Sequence, residues 1–545
     1  MLRDLIVLYL DNLKKERAFD ANFLALLVAE GFYDIHFTHG ALEFGKDFIA
    51  KRTDAGVPTQ YAFQNKAGNI GASEWRDIRH QMLETLTNDI GGPSFDPVLP
   101  RRAILVLTGR LIGTAGADHQ EFSRKMGTTF PGRSIEPAWD RETLTALLLK
   151  HGPEQLFRTG TDIASYGSFY RLYGDIVERR AKVDDIEQHF EHRLHAAGST
   201  AERVAAVALE AHLYADASIS SGQPYLAMQA MQAEMGAVAF EIQSGNMTEA
   251  QGFALFRAAR TDVLGAAESV RSTYDERIAA AGSLLEATSG AGLIVSYPVM
   301  CAQMMDALVL QHELGDDARS SDVAVALAVM VAAEPGCAHP ISDRYAVSVV
   351  WAIRMLSVAG HERQARALLR EAANWLINRY WDGGLGLASC DAGEDEEIAT
   401  LLGGPFTGVE ATRNSGSFLA CTLMDAACFL QDHEVYNGLR ADIIAAEIFP
   451  RYYQVQDSPG QFQYGADDIV RFPNIEFAPQ MPHFEQLSHG SHLSGEPVPR
   501  RAADFGTGFY AGVSLLLRDR YFPKIWLMNA KLALASDHSL EQPAS

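Results

Sequence analysis

Three residues near the start of the chain have types and spacing suited to hydrolytic chemistry. Asp47 closes the tripeptide Gly45-Lys46-Asp47, and Gln64 and Lys66 flank Asn65 in a second short segment. In a strand, residues two apart point to the same face, so Gln64 and Lys66 are expected to project together. If their strand pairs with the one led by Asp47, one carboxylate, one amide and one ammonium group meet. A carboxylate and an amide oxygen suit a hard divalent ion such as Mg2+, with Mn2+ able to substitute. Such an ion polarises a phosphodiester and acidifies a bound water, while a lysine offsets developing charge.

The surrounding segments read as elements able to hold such a trio. An amphipathic helix is expected over 19–30, ended by Gly31. A short alternating strand follows over 33–38, a turn at His39-Gly40, and a second strand entry near Gly45. The turn Ala55-Gly56-Val57-Pro58 precedes a strand over 60–66, and 73–88 reads as a helix with Trp75, Ile78, Met82, Thr85 and Leu86 on one face. The continuous apolar run of 102–108 reads as a buried strand. Helix, strands, helix, strand describes a compact α/β unit.

With these pieces in place, residues 19–125 resemble the restriction-endonuclease-like fold, the PD-(D/E)xK superfamily, and within it the Mrr-like branch of type IV restriction enzymes. The matching pieces are Phe19-Asp20, Gly31-Phe32, Gly45-Lys46-Asp47, Gln64-Asn65-Lys66, the helix from Ser73 and Val106-Leu107-Thr108-Gly109. The resemblance implies that Asp47 is a metal ligand, Gln64 the second ligand-side residue and Lys66 the catalytic lysine. Asp20 stands where the family has a helix-borne Glu, one methylene longer, and is expected to complete the catalytic and metal-binding set. Glu43 is a substitute ligand if the strand geometry allows.

The rest of the chain differs in kind. Of 46 basic and 69 acidic residues, residues 1–150 hold 18 and 19, so nearly all of the net charge of -23 lies beyond residue 150. An acidic surface binds nucleic acid poorly, because phosphate contacts need clustered cations. From about residue 140 strand signals nearly vanish and helical periodicity takes over. Helices are expected over 170–196, 201–215, 224–243, 248–281, 299–313, 321–333, 345–359, 361–380, 417–431 and 502–521, with long loops over 381–413 and 454–501. No fixed repeat appears.

Other motifs are weak. His189, His192 and His195 lie at helical spacing, but the flanking charges read as a solvated face rather than a metal site. His483, His489 and His492 cluster in the late loop. Gly383-Gly384-Leu385-Gly386 lacks the preceding strand a dinucleotide loop needs. No GxxxxGK[ST], GxSxG or HExxH motif occurs, so nothing supports a P-loop translocase, an α/β-hydrolase or a zincin. Five cysteines without CxxC spacing suit a reducing compartment, and Cys421 and Cys428 read as core residues. No secretory signal opens the chain, and the run 323–333 is too short for a bilayer span.

The expected architecture is therefore an α/β restriction-endonuclease-like domain over 1–150, a helical array over 151–380, and a helical part with long loops over 381–545, α+β overall and predominantly helical. The expected activity is Mg2+-dependent cleavage of DNA in the cytoplasm, with no membrane association. The helical part would take a protein partner or a small-molecule trigger, in the manner of an anti-phage effector, and a homo-oligomer is compatible with it. The competing expectation is a helical scaffold whose degenerate nuclease fold binds nucleic acid or a partner protein without cutting.

Overall fold

A computed structural model describes residues 2–37, 46–89, 95–151, 163–194, 199–243, 246–247, 249–390, 392–403, 413–450 and 507–517. The chain is α+β and predominantly helical, with one small mixed sheet near its start. The opening elements are α1 (Leu2–Asn12), a 3-10 turn (Glu16–Phe19), α2 (Asp20–Ala29), β1 (Tyr33–Phe37), β2 (Phe48–Asp54), β3 (Val57–Lys66), α3 (Ala72–Thr87), β4 (Arg101–Leu107), α4 (Ala115–Thr129), β5 (Arg133–Ile135) and α5 (Arg141–His151).

The sheet order is β1-β2-β3-β4-β5. Strands β1, β2 and β3 form an antiparallel meander, and β3, β4 and β5 run parallel. The β2–β3 hairpin turns on two residues, Ala55 and Gly56, both with positive φ (49° and 85°). Such a loop twists in the sense of its flanking strands. The parallel β3–β4 pair requires a crossover, and α3 supplies it. As the sequence predicts, α3 buries Trp75, Ile78, Met82, Thr85 and Leu86. The apolar members pack on Ala103, Leu105 and Leu107 of β4 and on Phe122 of α4. Beyond β3 and β4 the loops at Gly68 and Gly109 touch: a Cβ on Gly109 would lie 2.3 Å from the Gly68 backbone. Only glycine permits that approach.

The helix expected over 19–30 forms, but it is not amphipathic. α2 is buried on nearly every side, from Asp20 to Leu27. Phe23 packs edge-on against Phe48 of β2 and Phe63 of β3, and α2 also packs on α8 (Thr200–Ser220). Covered by the sheet and by a helix, it has little polar face to show.

By compactness the chain divides into two units, Met1–Asp262 and Val263–Ser545. The expected boundaries at 150 and 380 follow changes of composition. The first unit includes, besides the sheet segment, α6 (Ile163–Val177), α7 (Val183–Leu194), α8, α9 (Pro224–Gln243) and the N-terminal half of α10 (Glu249–Ala281). The single helix expected over 170–196 is two helices. Arg179 takes a left-handed φ of 60° and Gln223 Nε2 caps the Ile176 carbonyl, 2.8 Å away. The run Glu178-Arg179-Arg180 brings no apolar side chain to extend the buried face.

The second unit, by itself, contains α11 (Ser296–Leu314), α12 (Asp317–Ala333), α13 (Ala346–Val358), α14 (Glu362–Tyr380), α15 (Glu394–Leu402), α16 (Phe418–Phe429), α17 (His433–Ala445) and α18 (Thr507–Leu517). It also holds a short parallel pair, β6 (Gly416–Ser417) and β7 (Phe449–Pro450). Here the long loop expected over 381–413 is interrupted by α15. The acidic run Glu394-Asp395-Glu396-Glu397 occupies its first turn, where carboxylates oppose the positive end of the helix dipole. The loop expected over 454–501 lies outside the described residues. Among the described residues no helix is long and apolar enough to cross a membrane.

Candidate active site on the β2–β3 hairpin

The backbone sets the first contact. Asp47 lies one residue before β2, and its N–H donates to the Phe63 carbonyl (2.9 Å), extending the β2–β3 ladder by one step. That places its carboxylate beside the C-terminal end of β3. Asp47 Oδ2 accepts from Gln64 Nε2 (2.8 Å) and from the Asn65 backbone N–H (2.6 Å). The strand pairing expected from sequence thus brings Asp47 and Gln64 together.

Lys66 ends β3, where its carbonyl accepts from the Thr108 N–H (3.2 Å). Its Nζ pairs with Glu16 Oε1 at 3.0 Å. Glu16 was not singled out from sequence. The available signal was its position four residues before Asp20, one turn away on the same helical side, in the 3-10 turn that runs into α2. Asp20 is the first residue of α2 and is buried. Burial pushes its carboxyl up to about 8, with the nearby charges of Asp47 and Asp262 adding to the rise. Glu43 lies outside the described residues.

A second lysine was also missed. Lys46 is buried with its Nζ over the Phe95 ring (5.5 Å), and the Arg101 guanidinium covers the same ring (4.5 Å). Burial, then the charge of Arg101, pushes Lys46 down to about 8.

The donor set tests whether a divalent cation suits this place. The buried oxygen Gln64 Oε1 has no hydrogen-bond partner. Asp47 and Asp20 carry carboxyls close enough that one impedes ionisation of the other. All three offer hard oxygens, the donor type Mg2+ and Mn2+ prefer. An orphaned buried acceptor and like charges held together both cost free energy that a cation offsets. The residues fit.

His189 of α7 does not lie on a solvated face, and His195 lies outside the described residues. His189 and Arg193 are buried, and both reach Glu210 of α8: His189 Nε2 lies 2.7 Å and Arg193 Nε 3.0 Å from Glu210 Oε2. Tyr214 Oη lies 3.0 Å from the same imidazole nitrogen. Burial works to raise the Glu210 carboxyl, but Arg193 and His189 outweigh it and hold it below the usual range. The charges that looked solvent-facing along one helix are partners for a carboxylate on another. His483, His489 and His492 lie outside the described residues. Cys421 and Cys428 are buried in α16, as expected, and all five cysteines are buried and outside any disulfide.

Comparison with protein-family models, with curated proteins and with solved structures finds no match to this chain.

Proposed function

We propose that the first unit is a metal-dependent nuclease of the restriction-endonuclease-like kind that hydrolyses phosphodiesters in DNA. The observation that carries this reading is the Gln64–Asp47 hydrogen bond across β2 and β3, with the Asp20 carboxyl beside it and Lys66 at the same strand end. The element sequence α2, β1–β3, α3, β4 and the motif residues it carries are those of the resemblance. Asp47, Gln64 Oε1 and Asp20 would hold Mg2+ or Mn2+. When bound, the ion supplies Lewis acidity and lowers the pKa of a coordinated water.

The chain's own residues do the rest. Lys66 Nζ places a positive charge where the attacked phosphate gains negative charge. Glu16 orients that ammonium group, and its partly open position lets the lysine exchange the carboxylate for a phosphate oxygen. The Asn65 N–H and Gln64 Nε2 fix the Asp47 carboxylate in place. The close approach of Gly109 and Gly68 holds the loops after β3 and β4 together. The acidic helical remainder would repel DNA away from this face and take the protein or small-molecule signal of a regulated anti-phage effector, a role argued by family analogy.

The test is incubation of the purified full chain with supercoiled plasmid and Mg2+ or Mn2+, beside Lys66→Ala and Asp47→Ala. Metal-dependent nicking that falls about 100-fold or more in either variant, with folding and DNA binding retained, supports the reading. Cutting that survives both substitutions overturns it. A second reading keeps the fold without the cutting: Lys66 is already paired with Glu16 and Asp20 holds its proton near neutrality. It predicts DNA binding that neither metal nor the substitutions change.

A further inference from the structure

The helices of the first unit bring together three side chains that the strand site does not use. His212 lies on α8, Glu234 on α9 and Asp262 on α10, and one potential ligand atom from each falls within 4.8 Å of the other two. His212 and Glu234 are 6% and 2% exposed, and the Asp262 side chain is 15% exposed. We propose that this cluster is a binding site for a divalent transition-metal ion, with Zn2+ the best match to one imidazole and two carboxylates.

Two observations point to a ligand beyond the clustering itself. First, His212 Nε2 and Glu234 Oε2 are both buried without a hydrogen-bond partner. Such atoms are rare in folded proteins, because an unsatisfied buried polar atom is costly unless something pairs with it. Second, His212 Nδ1 lies 2.9 Å from the Ala208 carbonyl. A backbone carbonyl on one ring nitrogen is the arrangement that fixes the tautomer of metal-binding histidines, leaving the other nitrogen as the ligand. That other nitrogen, Nε2, faces Asp262 Oδ2 at 3.5 Å. This is long for a hydrogen bond. It is close to the separation of about 3.4 Å expected between two donors each about 2.1 Å from a tetrahedral zinc. Glu234 Oε2 sits 3.4 Å from Nδ1 and offers the third donor of the cluster.

The charges agree. Two carboxylates with a neutral imidazole balance the charge of a divalent ion. The partly open Asp262 side gives a route for the ion and for water in the fourth position. The spacing across three helices and the N/O donor mixture separate this site from the all-oxygen set at Asp47, and the inference does not depend on the nuclease reading.

The experiment is Zn2+ titration of the metal-stripped full chain, followed by gel filtration and measurement of retained metal. Wild type and Asp47→Asn are expected to retain one equivalent. Asp262→Asn and His212→Gln are expected to weaken binding tenfold or more. Co2+ in place of Zn2+ is expected to give visible d–d absorption that the Asp262→Asn variant loses. Circular dichroism confirms folding, and Asp262→Asn decides the matter if His212→Gln does not fold. No retained zinc in wild type makes the cluster an ion pair only and overturns the proposal. So does zinc that survives Asp262→Asn, or zinc lost in Asp47→Asn but retained in Asp262→Asn.

Discussion

The first unit holds two sets of charged residues under opposite conditions. At the β2–β3 hairpin, Asp47, Gln64, Lys66 and Glu16 sit where a strand end meets a short turn, and Glu16 is still 44% exposed. In the helical layer, Glu210 is fully buried with His189 and Arg193 around it. Both regions pair carboxylates with nitrogen bases at similar distances. The difference lies in what surrounds them, and it separates groups that water can reach from groups that hold helices in register. In a buried layer each charge depends on its partner, because removal of one leaves the other desolvated. At a partly open strand end water takes over when a partner leaves.

The largest contrast should come from the buried side. Glu210→Ala strands Arg193 and His189 without their carboxylate and is expected to destabilise the first unit by about 3–5 kcal/mol, read by denaturant unfolding. A loss below about 1 kcal/mol would mean that water reaches this layer.

A smaller effect of opposite sign is expected at Asp20. Its carboxyl is raised to about 8 in the folded protein. Between pH 5 and pH 8 the native state therefore keeps a proton that the unfolded chain has released, and stability falls as pH rises through that window. Asp20→Asn removes the dependence, so wild type should lose about 3–4 kcal/mol more than the variant over that interval. If Asp20 is a metal ligand, saturating Mg2+ closes most of the gap at pH 8. An Asp20→Asn variant whose stability tracks wild type at every pH refutes the shifted carboxyl.

The smallest stability change belongs to Glu16→Gln, less than about 1 kcal/mol because the pair with Lys66 is half open. Its effect on plasmid cleavage should be larger, about tenfold, since a misplaced ammonium group loses much of its value. Equal, small effects on stability and cleavage would reduce the Lys66–Glu16 pair to a surface ion pair.

The hairpin trio was legible in the sequence because a strand repeats every two residues and its partner lies one turn away. Asp47, Gln64 and Lys66 are separated by less than twenty residues, and alternation with one turn suffices to bring Asp47 to Gln64. α3 was legible for the same reason, its buried stripe written at helical spacing from Trp75 to Leu86. Where one helix is covered on both sides, periodicity misleads: α2 was expected to have a wet face and has almost none. α15 was hidden by glycines and a charge run that suggested a loop, although the same charges favour a helix start.

What the sequence determined by itself was local: the helical periods, the strand alternation, the turn at Ala55-Gly56, the acidic character of everything after residue 150 and the absence of familiar nucleotide and protease motifs. What the tertiary structure decided was which charges meet. His212, Glu234 and Asp262 come from three helices, and Lys66 finds Glu16 across fifty residues. No period in a chain encodes such meetings. They arise because burying apolar faces fixes how helices and sheet pack, and the polar side chains carried along must then find partners or ions wherever that packing leaves them.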